Sequence, residues 1–166
     1  TYQKGFDLLI EAWANVCKKN NDWTLRIVGS GEDEILLREQ ASRLNINNRI
    51  DFVPATKDVE KYYKSSSFYC LSSRFEGLPM VLLEAQAYGL PIISFSCDTG
   101  PSDIIVNGKN GLLTTPIDVY ELSKNLKYFI SISPIDYNEY IKNSKKMSVE
   151  FTINSLIDRW SNLLEN

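Results

Sequence analysis

The chain reads as an α/β protein: a parallel sheet with helices on both faces. Three observations predict this. Stretches of helical spacing alternate with short strand-like runs along the whole chain. The strand-like runs tend to stop at Gly, Pro or Ser, and helical spacing resumes soon after. The length, 166 residues with 43% hydrophobic and 23% charged, suits one soluble domain with a sizeable core. Strand, helix, strand, helix is the order that lays helices over both faces of parallel strands.

The elements follow in order. Phe6, Leu9, Ile10, Trp13, Val16 and Cys17 share one helical face, so the first helix runs for about four turns. Residues 23–28 are strand-like and stop at Gly29-Ser30-Gly31. Residues 33–44 are helical, with Ile35, Leu36 and Leu44 expected on the inward face. Residues 49–53 form a short strand closed by Pro54, and 59–64 a short helix. Residues 68–71 are a buried type of strand. Residues 79–88 form a helix ended by Gly89, with Pro91 just beyond. Strands at 92–95 and 111–114 flank a loop and the turn Asn107-Gly-Lys-Asn-Gly111. The rest is helical: 119–129, 137–147 and 153–164. No repeat, linker or low-complexity tract interrupts the chain.

Composition excludes several chemistries. There is no histidine, which removes the usual general base, Ser-His and Cys-His pairs and most zinc sites. Reactive groups must be carboxylates, Lys, Arg, Tyr or backbone. Net charge is −3, so no basic footprint for nucleic acid exists. Cys17, Cys70 and Cys97 are scattered, as small buried thiols of a reducing, cytoplasmic setting are. No apolar run nears the roughly 20 residues of a membrane span. The chain opens on Thr1, so it is expected to be a piece of a longer protein.

In α/β sheets of this type, ligands bind beyond the carboxyl ends of the strands. Gly29-Ser30-Gly31, Pro54, the segment 72–79 and the segment 97–102 all follow strands, so they should share one rim. The segment Arg74-Phe-Glu-Gly-Leu-Pro-Met-Val-Leu-Leu-Glu84 is the most informative on it. Gly77 permits close backbone approach, and Pro79 suits the first helical position. The amides and dipole of that helix start make an anion site. Glu76 stands just before it, and Glu84 about 7 to 8 Å along the helix axis from Pro79. Each carboxylate can accept two hydroxyl hydrogen bonds, which matches a sugar diol. Phosphate at the helix start with diols on either side describes a nucleotide sugar. Val81, Leu82, Leu83, Ala85 and Ala87 make the helix apolar nearly all round. Glu84 is therefore expected to be buried, in need of a ligand or a fixed partner.

Residues 76–93, Glu-Gly-Leu-Pro-Met-Val-Leu-Leu-Glu-Ala-Gln-Ala-Tyr-Gly-Leu-Pro-Ile-Ile, resemble the Glu-x7-Glu signature of the group 1 glycosyltransferases, carbohydrate family 4. Three more stretches resemble that family in the same order. They are Lys4-Gly-Phe-Asp-Leu-Leu-Ile-Glu-Ala-Trp13, Leu25-Arg-Ile-Val-Gly-Ser-Gly31, and Gly100-Pro-Ser-Asp-Ile-Ile with Asn107-Gly-Lys-Asn-Gly-Leu-Leu113. The resemblance spans nearly the whole chain. It implies the Rossmann-like C-terminal half of a two-domain GT-B enzyme, with residues 1–166 forming a single donor-binding domain.

What the resemblance implies by residue is specific. Lys4 would neutralise the donor diphosphate as it leaves. Glu76 would hold hexose hydroxyls beside the reacting carbon. Gly77, Leu78 and Pro79 would shape the loop over hexose and phosphates, and Glu84 would bind the ribose diol. Val53 and Pro54 would lie against the base, with Gly29 and Val81 also lining the donor site. An Arg usual upstream of Lys4 would precede this chain, and neither Arg26 nor Arg74 replaces it. The implied donor is a nucleotide diphosphate sugar, a UDP sugar by expectation. No metal or cofactor is expected, and Asp98 and Asp103 read as loop and cap residues. The implied acceptor is a saccharide or lipid-linked sugar held through a missing N-terminal domain. The helix within 152–166 is expected to pack on that domain, baring Trp160, Leu163 and Leu164 in this half. Lys142, Lys145 and Lys146 form a basic cluster suited to peripheral contact with an anionic membrane face. Alternatives at this level are a GT-B epimerase or phosphorylase domain and a noncatalytic nucleotide-binding module.

Overall fold

The computed structural model describes residues 1–18, 22–115 and 117–164, without the side chains of Leu156, Asp158, Arg159, Asn162 and Leu163. A 3-10 turn at Tyr2–Lys4 leads into α1 (Phe6–Cys17), followed by β1 (Leu25–Val28) and α2 (Glu34–Arg43). Next come β2 (Ile50–Val53), α3 (Glu60–Lys64), β3 (Tyr69–Leu71), α4 (Met80–Ala87) and β4 (Ile92–Phe95). The chain continues through α5 (Pro101–Ile104), β5 (Gly111–Thr114), α6 (Val119–Ser131), α7 (Pro134–Ser148) and α8 (Ile153–Leu164).

All strand pairs are parallel, as predicted, and helices cover both faces. β4 shows why. Ile93 and Phe95 point into a core with Leu9, Ile10, Trp13, Leu122, Leu126 and Phe129 of α1 and α6. Ile92, one residue out of phase, points into a second core with Leu82, Ala85, Ile104 and Leu71. Successive side chains of a strand face opposite ways, so one strand stitches two helical layers together. All four β4 residues are buried, as suits the middle strand of β3-β4-β5.

The strands form two pieces, β1-β2 and β3-β4-β5. A cleft of about 520 Å³ runs along the seam, between walls that include Ile27 and Val28 on one side and Tyr69 and Cys70 on the other. Trp23 and Phe68, just ahead of the two facing strands, stand 5.6 Å apart across its lower end. Strand periodicity reports which face each residue takes and nothing about edge pairing, so this seam was not legible in the sequence.

Three local expectations need correction. Ile35 of α2 is 70% exposed, and Leu36 and Leu44 are exposed too. The helix instead turns Leu37 and Ala41, one turn apart, toward the core, with Gln40 Nε2 donating to the Asp7 carbonyl at 2.9 Å. Pro79 sits one place earlier than expected, as the cap of α4; its carbonyl accepts from the Leu82 amide at 2.9 Å. Within the segment expected to be loop, Pro101 opens the one-turn helix α5. The Asp103 carboxylate there accepts from the Gly100 amide at 3.3 Å, the capping role expected of it.

Candidate functional site

The site is built around two glycines whose side-chain space is taken by backbone. Gly5 has φ +61°, and a Cβ there would lie 2.0 Å from the Ser72 carbonyl oxygen. The turn after Lys4 therefore lies directly on the end of β3. The Ser72 hydroxyl completes the join by donating to the Lys4 carbonyl at 2.9 Å. Gly100 has φ +92°, and its Cβ would lie 2.0 Å from the Gly77 carbonyl oxygen. The segment after β4 thus closes on the Glu76–Pro79 loop from the other side. Only glycine fits either place.

Arg74 ties the first residues of the chain to this loop. Its guanidinium makes paired bonds of 2.9 and 2.6 Å to Asp7, donates to the Tyr2 carbonyl at 2.7 Å and lies over the Tyr2 ring at 4.1 Å. Its amide donates to the Gln3 carbonyl at 2.8 Å. The Arg74 hydrogen bond and charge hold the Asp7 carboxyl below its ordinary 3.8, against burial acting the other way.

The clamp delivers Lys4 to Glu76. Lys4 Nζ donates to Glu76 Oε1 at 2.8 Å, and the Ser73 hydroxyl donates to the same oxygen at 2.6 Å. The Glu76 side chain is only 9% exposed. Its carbonyl accepts from the Thr99 hydroxyl at 2.7 Å, and the Cys97 thiol donates to the Ser73 carbonyl at 3.1 Å. Burial leads in pushing the Cys97 thiol above its ordinary 9.0, and it pushes Cys70 to about 12. Both stay protonated, and all three cysteines are free, as small thiols.

Glu84 differs from its expectation. It is exposed, on the outward side of α4, where Leu82, Ala85 and Gln86 take the buried positions. Its fixed partner is the Tyr63 hydroxyl, which donates to Oε2 at 2.8 Å. A helix apolar in composition still has one solvent side, and an eight-residue helix lying on a core shows it where the charge sits. Val81 and Glu84 border the seam cleft opposite Val28, the residue before Gly29. Gly29 donates its amide to the Val53 carbonyl at 2.9 Å, and the Ser30 hydroxyl accepts from the Ala55 amide at 3.1 Å, so Gly29, Val53 and Pro54 make one patch.

All the predicted site residues thus follow carboxyl ends of strands or precede the first. Lys4 joins Glu76, Gly77, Leu78 and Pro79; Val81 and Glu84 extend along α4; Gly29, Val53 and Pro54 stand at the ends of β1 and β2. Ser73, Thr99, Asp7 and Tyr63 were missed. Ser73 stands three positions before Glu76, a local spacing that could have marked it, whereas Thr99, Asp7 and Tyr63 act on residues brought near by folding. Arg26 is engaged elsewhere, bonding Asp51 at 2.9 Å across β1 and β2. Among the described residues no three His, Cys, Asp or Glu side chains gather as a metal site.

The cation and carboxylate set before a helix start lie on one rim of a parallel α/β domain. The sequence profile described as "Glycosyl transferases group 1" matches residues 1–147, and the chain belongs to that family. An uncharacterized glycosyltransferase of Haemophilus influenzae is 42% identical over 161 residues, covering 97% of this chain and 45% of the relative. The lipopolysaccharide 1,6-galactosyltransferase of Salmonella typhimurium is 34% identical over 120 residues, covering 70% of this chain and 33% of the relative. The chain therefore spans less than half the length of these curated relatives. Among solved structures, a mutant of S. aureus TarM in complex with fondaparinux, alpha-GlcNAc-glycerol and UDP superposes with a TM-score of 0.89 at 23% identity, over 99% of this chain and 33% of that one. Anabaena Alr3699/HepE with UDP-glucose superposes at 0.85 and 23% identity, over 99% of this chain and 46% of that one. At such identities these two establish the fold.

Proposed function

We propose that this chain is the donor-binding C-terminal half of a retaining glycosyltransferase that moves a hexose from a nucleotide diphosphate sugar to a saccharide or lipid-linked acceptor. The observation that carries the reading is the Lys4–Glu76–Ser73 constellation at the start of α4. Lys4 has three N–H donors, and one is used on Glu76. The others are open to phosphate oxygens, so the cation can neutralise a departing diphosphate without leaving the carboxylate that orients it. Glu76, fixed by two donors, is suited to receive hexose hydroxyls. Gly77, Leu78 and Pro79 shape the loop between them. Glu84 is suited to the ribose diol, and Gly29, Val53, Pro54 and Val81 to the base side of the donor.

UDP is the favoured nucleotide, since UDP or UDP-glucose occupies solved proteins of the same fold. The acceptor would be held by a further domain. Phe75, Leu78 and Met80 stand exposed around the site, as a surface facing such a domain would. Ile153, Ile157, Trp160 and Leu164 bare an apolar stripe on α8, with Trp160 at 66% exposure. The expectation for Leu163 and for residues 165–166 lies outside the described residues. The chain by itself is expected to turn over no donor. Lys142, Lys145 and Lys146 on α7 are the candidate contact with an anionic membrane face, from the cytoplasmic side. No described helix is long and apolar enough to cross a membrane.

The test is calorimetric titration of the whole protein with UDP, GDP and ADP and their sugar conjugates. Saturable binding of one nucleotide, weakened in Glu84→Ala, is the expected result. No binding at millimolar concentration would sink the donor role.

A further inference from the structure

Tyr63 comes to the rim on α3, whose periodicity gave it no role. Its hydroxyl donates to Glu84 Oε2 at 2.8 Å. Its ring is fixed by neighbours: stacked on Tyr88 at 5.3 Å and 7°, and tilted against Tyr69 at 6.0 Å. Burial, then the bond to Glu84, raises the phenol well above its ordinary 10. The group is thus a donor at every physiological pH. Among the described residues, Tyr63 supplies the hydrogen bond that Glu84 receives. Both side chains border the same cleft.

A glutamate on an exposed helix face samples several rotamers, and one held donor selects among them. A carboxylate oxygen has two acceptor sites. Oε2 can therefore keep Tyr63 and still accept one hydroxyl, while Oε1 accepts a second. That leaves a pair of acceptor sites at the spacing of a vicinal diol.

We infer, given the donor role proposed for this site, that Tyr63 is a positioning residue that aims Glu84 at the ribose diol and sets the preference for ribonucleotides over 2′-deoxyribonucleotides. Tyr63→Phe keeps the ring stack and removes only the donor. A packing role would weaken all nucleotides alike, whereas an aiming role weakens only those that carry the diol.

The experiment measures Kd for UDP and 2′-deoxy-UDP in the whole protein, for wild type, Tyr63→Phe and Glu84→Gln, with melting temperatures to confirm that packing is kept. Wild type should prefer UDP roughly tenfold, the size of one charge-assisted hydrogen bond. Tyr63→Phe should weaken UDP roughly threefold to tenfold and 2′-deoxy-UDP less than about twofold. Glu84→Gln should remove most of the preference. Equal loss for both nucleotides in Tyr63→Phe, or no loss for UDP, overturns the role of Tyr63 while leaving the donor reading intact. If wild type binds neither nucleotide, or binds both alike, the diol role of Glu84 fails and that of Tyr63 with it.

Discussion

Glu76 and Glu84 stand on one short stretch of chain, yet they are held in opposite ways. Glu76 is nearly buried, and its carboxylate takes bonds from Lys4, 72 residues away in sequence, and from Ser73. Its backbone is gripped by Thr99, and its loop is pressed between glycines whose Cβ atoms would clash at 2.0 Å. Glu84 is exposed on a helix and takes one bond, from Tyr63. Under the proposed roles, Glu76 would stand beside bond-breaking, where fixed surroundings count because reorganisation raises the barrier, and Glu84 would grip a ribose, where aim suffices. The contrast sets several contacts at the Lys4–Glu76 end against one aiming contact at Glu84.

The sharpest way to break this comparison is Glu76→Gln, which preserves shape and the bond to Ser73. In the whole enzyme, steady-state turnover should fall on the order of 10²- to 10³-fold while UDP affinity changes less than about threefold. Equal losses in turnover and affinity would erase the distinction between the two ends.

Gly5→Ala comes next. The forced φ and the collision with Ser72 should destabilise the domain by about 3 kcal/mol in denaturant unfolding. Gly77, with nothing near its Cβ position, serves as the control. Gly77→Ala should stay within about 0.5 kcal/mol of wild type. If Gly5→Ala is equally mild, the clamp on Lys4 is not rigid.

Glu84→Ala should weaken UDP roughly tenfold by calorimetry and leave stability nearly unchanged, since an exposed carboxylate with one phenol partner adds little to folding.

The smallest effect is Asp7→Asn. The Asp7 carboxyl is held below its ordinary value by Arg74, so the pair stabilises the fold above the unfolded carboxyl pKa, about 3.9. That contribution fades as pH falls through the lower, folded value. The melting-temperature gap between wild type and Asp7→Asn should be flat from pH 5 to 7 and close below about pH 4. Asp7 is half exposed, so the gap corresponds to under about 1 kcal/mol. A gap that persists at pH 2 would assign the Asp7 effect to packing.

Much of the architecture was legible because it is local. The face of α1 carrying Leu9, Ile10, Trp13 and Val16, the β4 run and the long helices α6 and α7 all stand within a residue or a few of their predicted places. A helical or strand period survives folding when one face meets a core. α2 misled for the same reason. Ile35 and Leu36 are apolar and correctly spaced, but the helix packs through Leu37 and Ala41, and spacing does not reveal which of two apolar sides wins.

The sequence by itself determined the order of elements, the family, and the placing of Lys4 before the first helix, Glu76 in the loop after β3 and Glu84 on the helix that follows. Those features depend on residues within a few positions of each other, where steric and hydrogen-bonding rules act along the chain. Only the tertiary structure decided that Lys4 reaches Glu76, that Gly5 and Gly100 close on that loop, that Glu84 faces solvent and that Tyr63 holds it. These depend on groups from segments tens of residues apart meeting in space, as the 2.8 Å side-chain bonds of Lys4 to Glu76 and Tyr63 to Glu84 do. Such contacts follow from how the layers pack, and no local period encodes them.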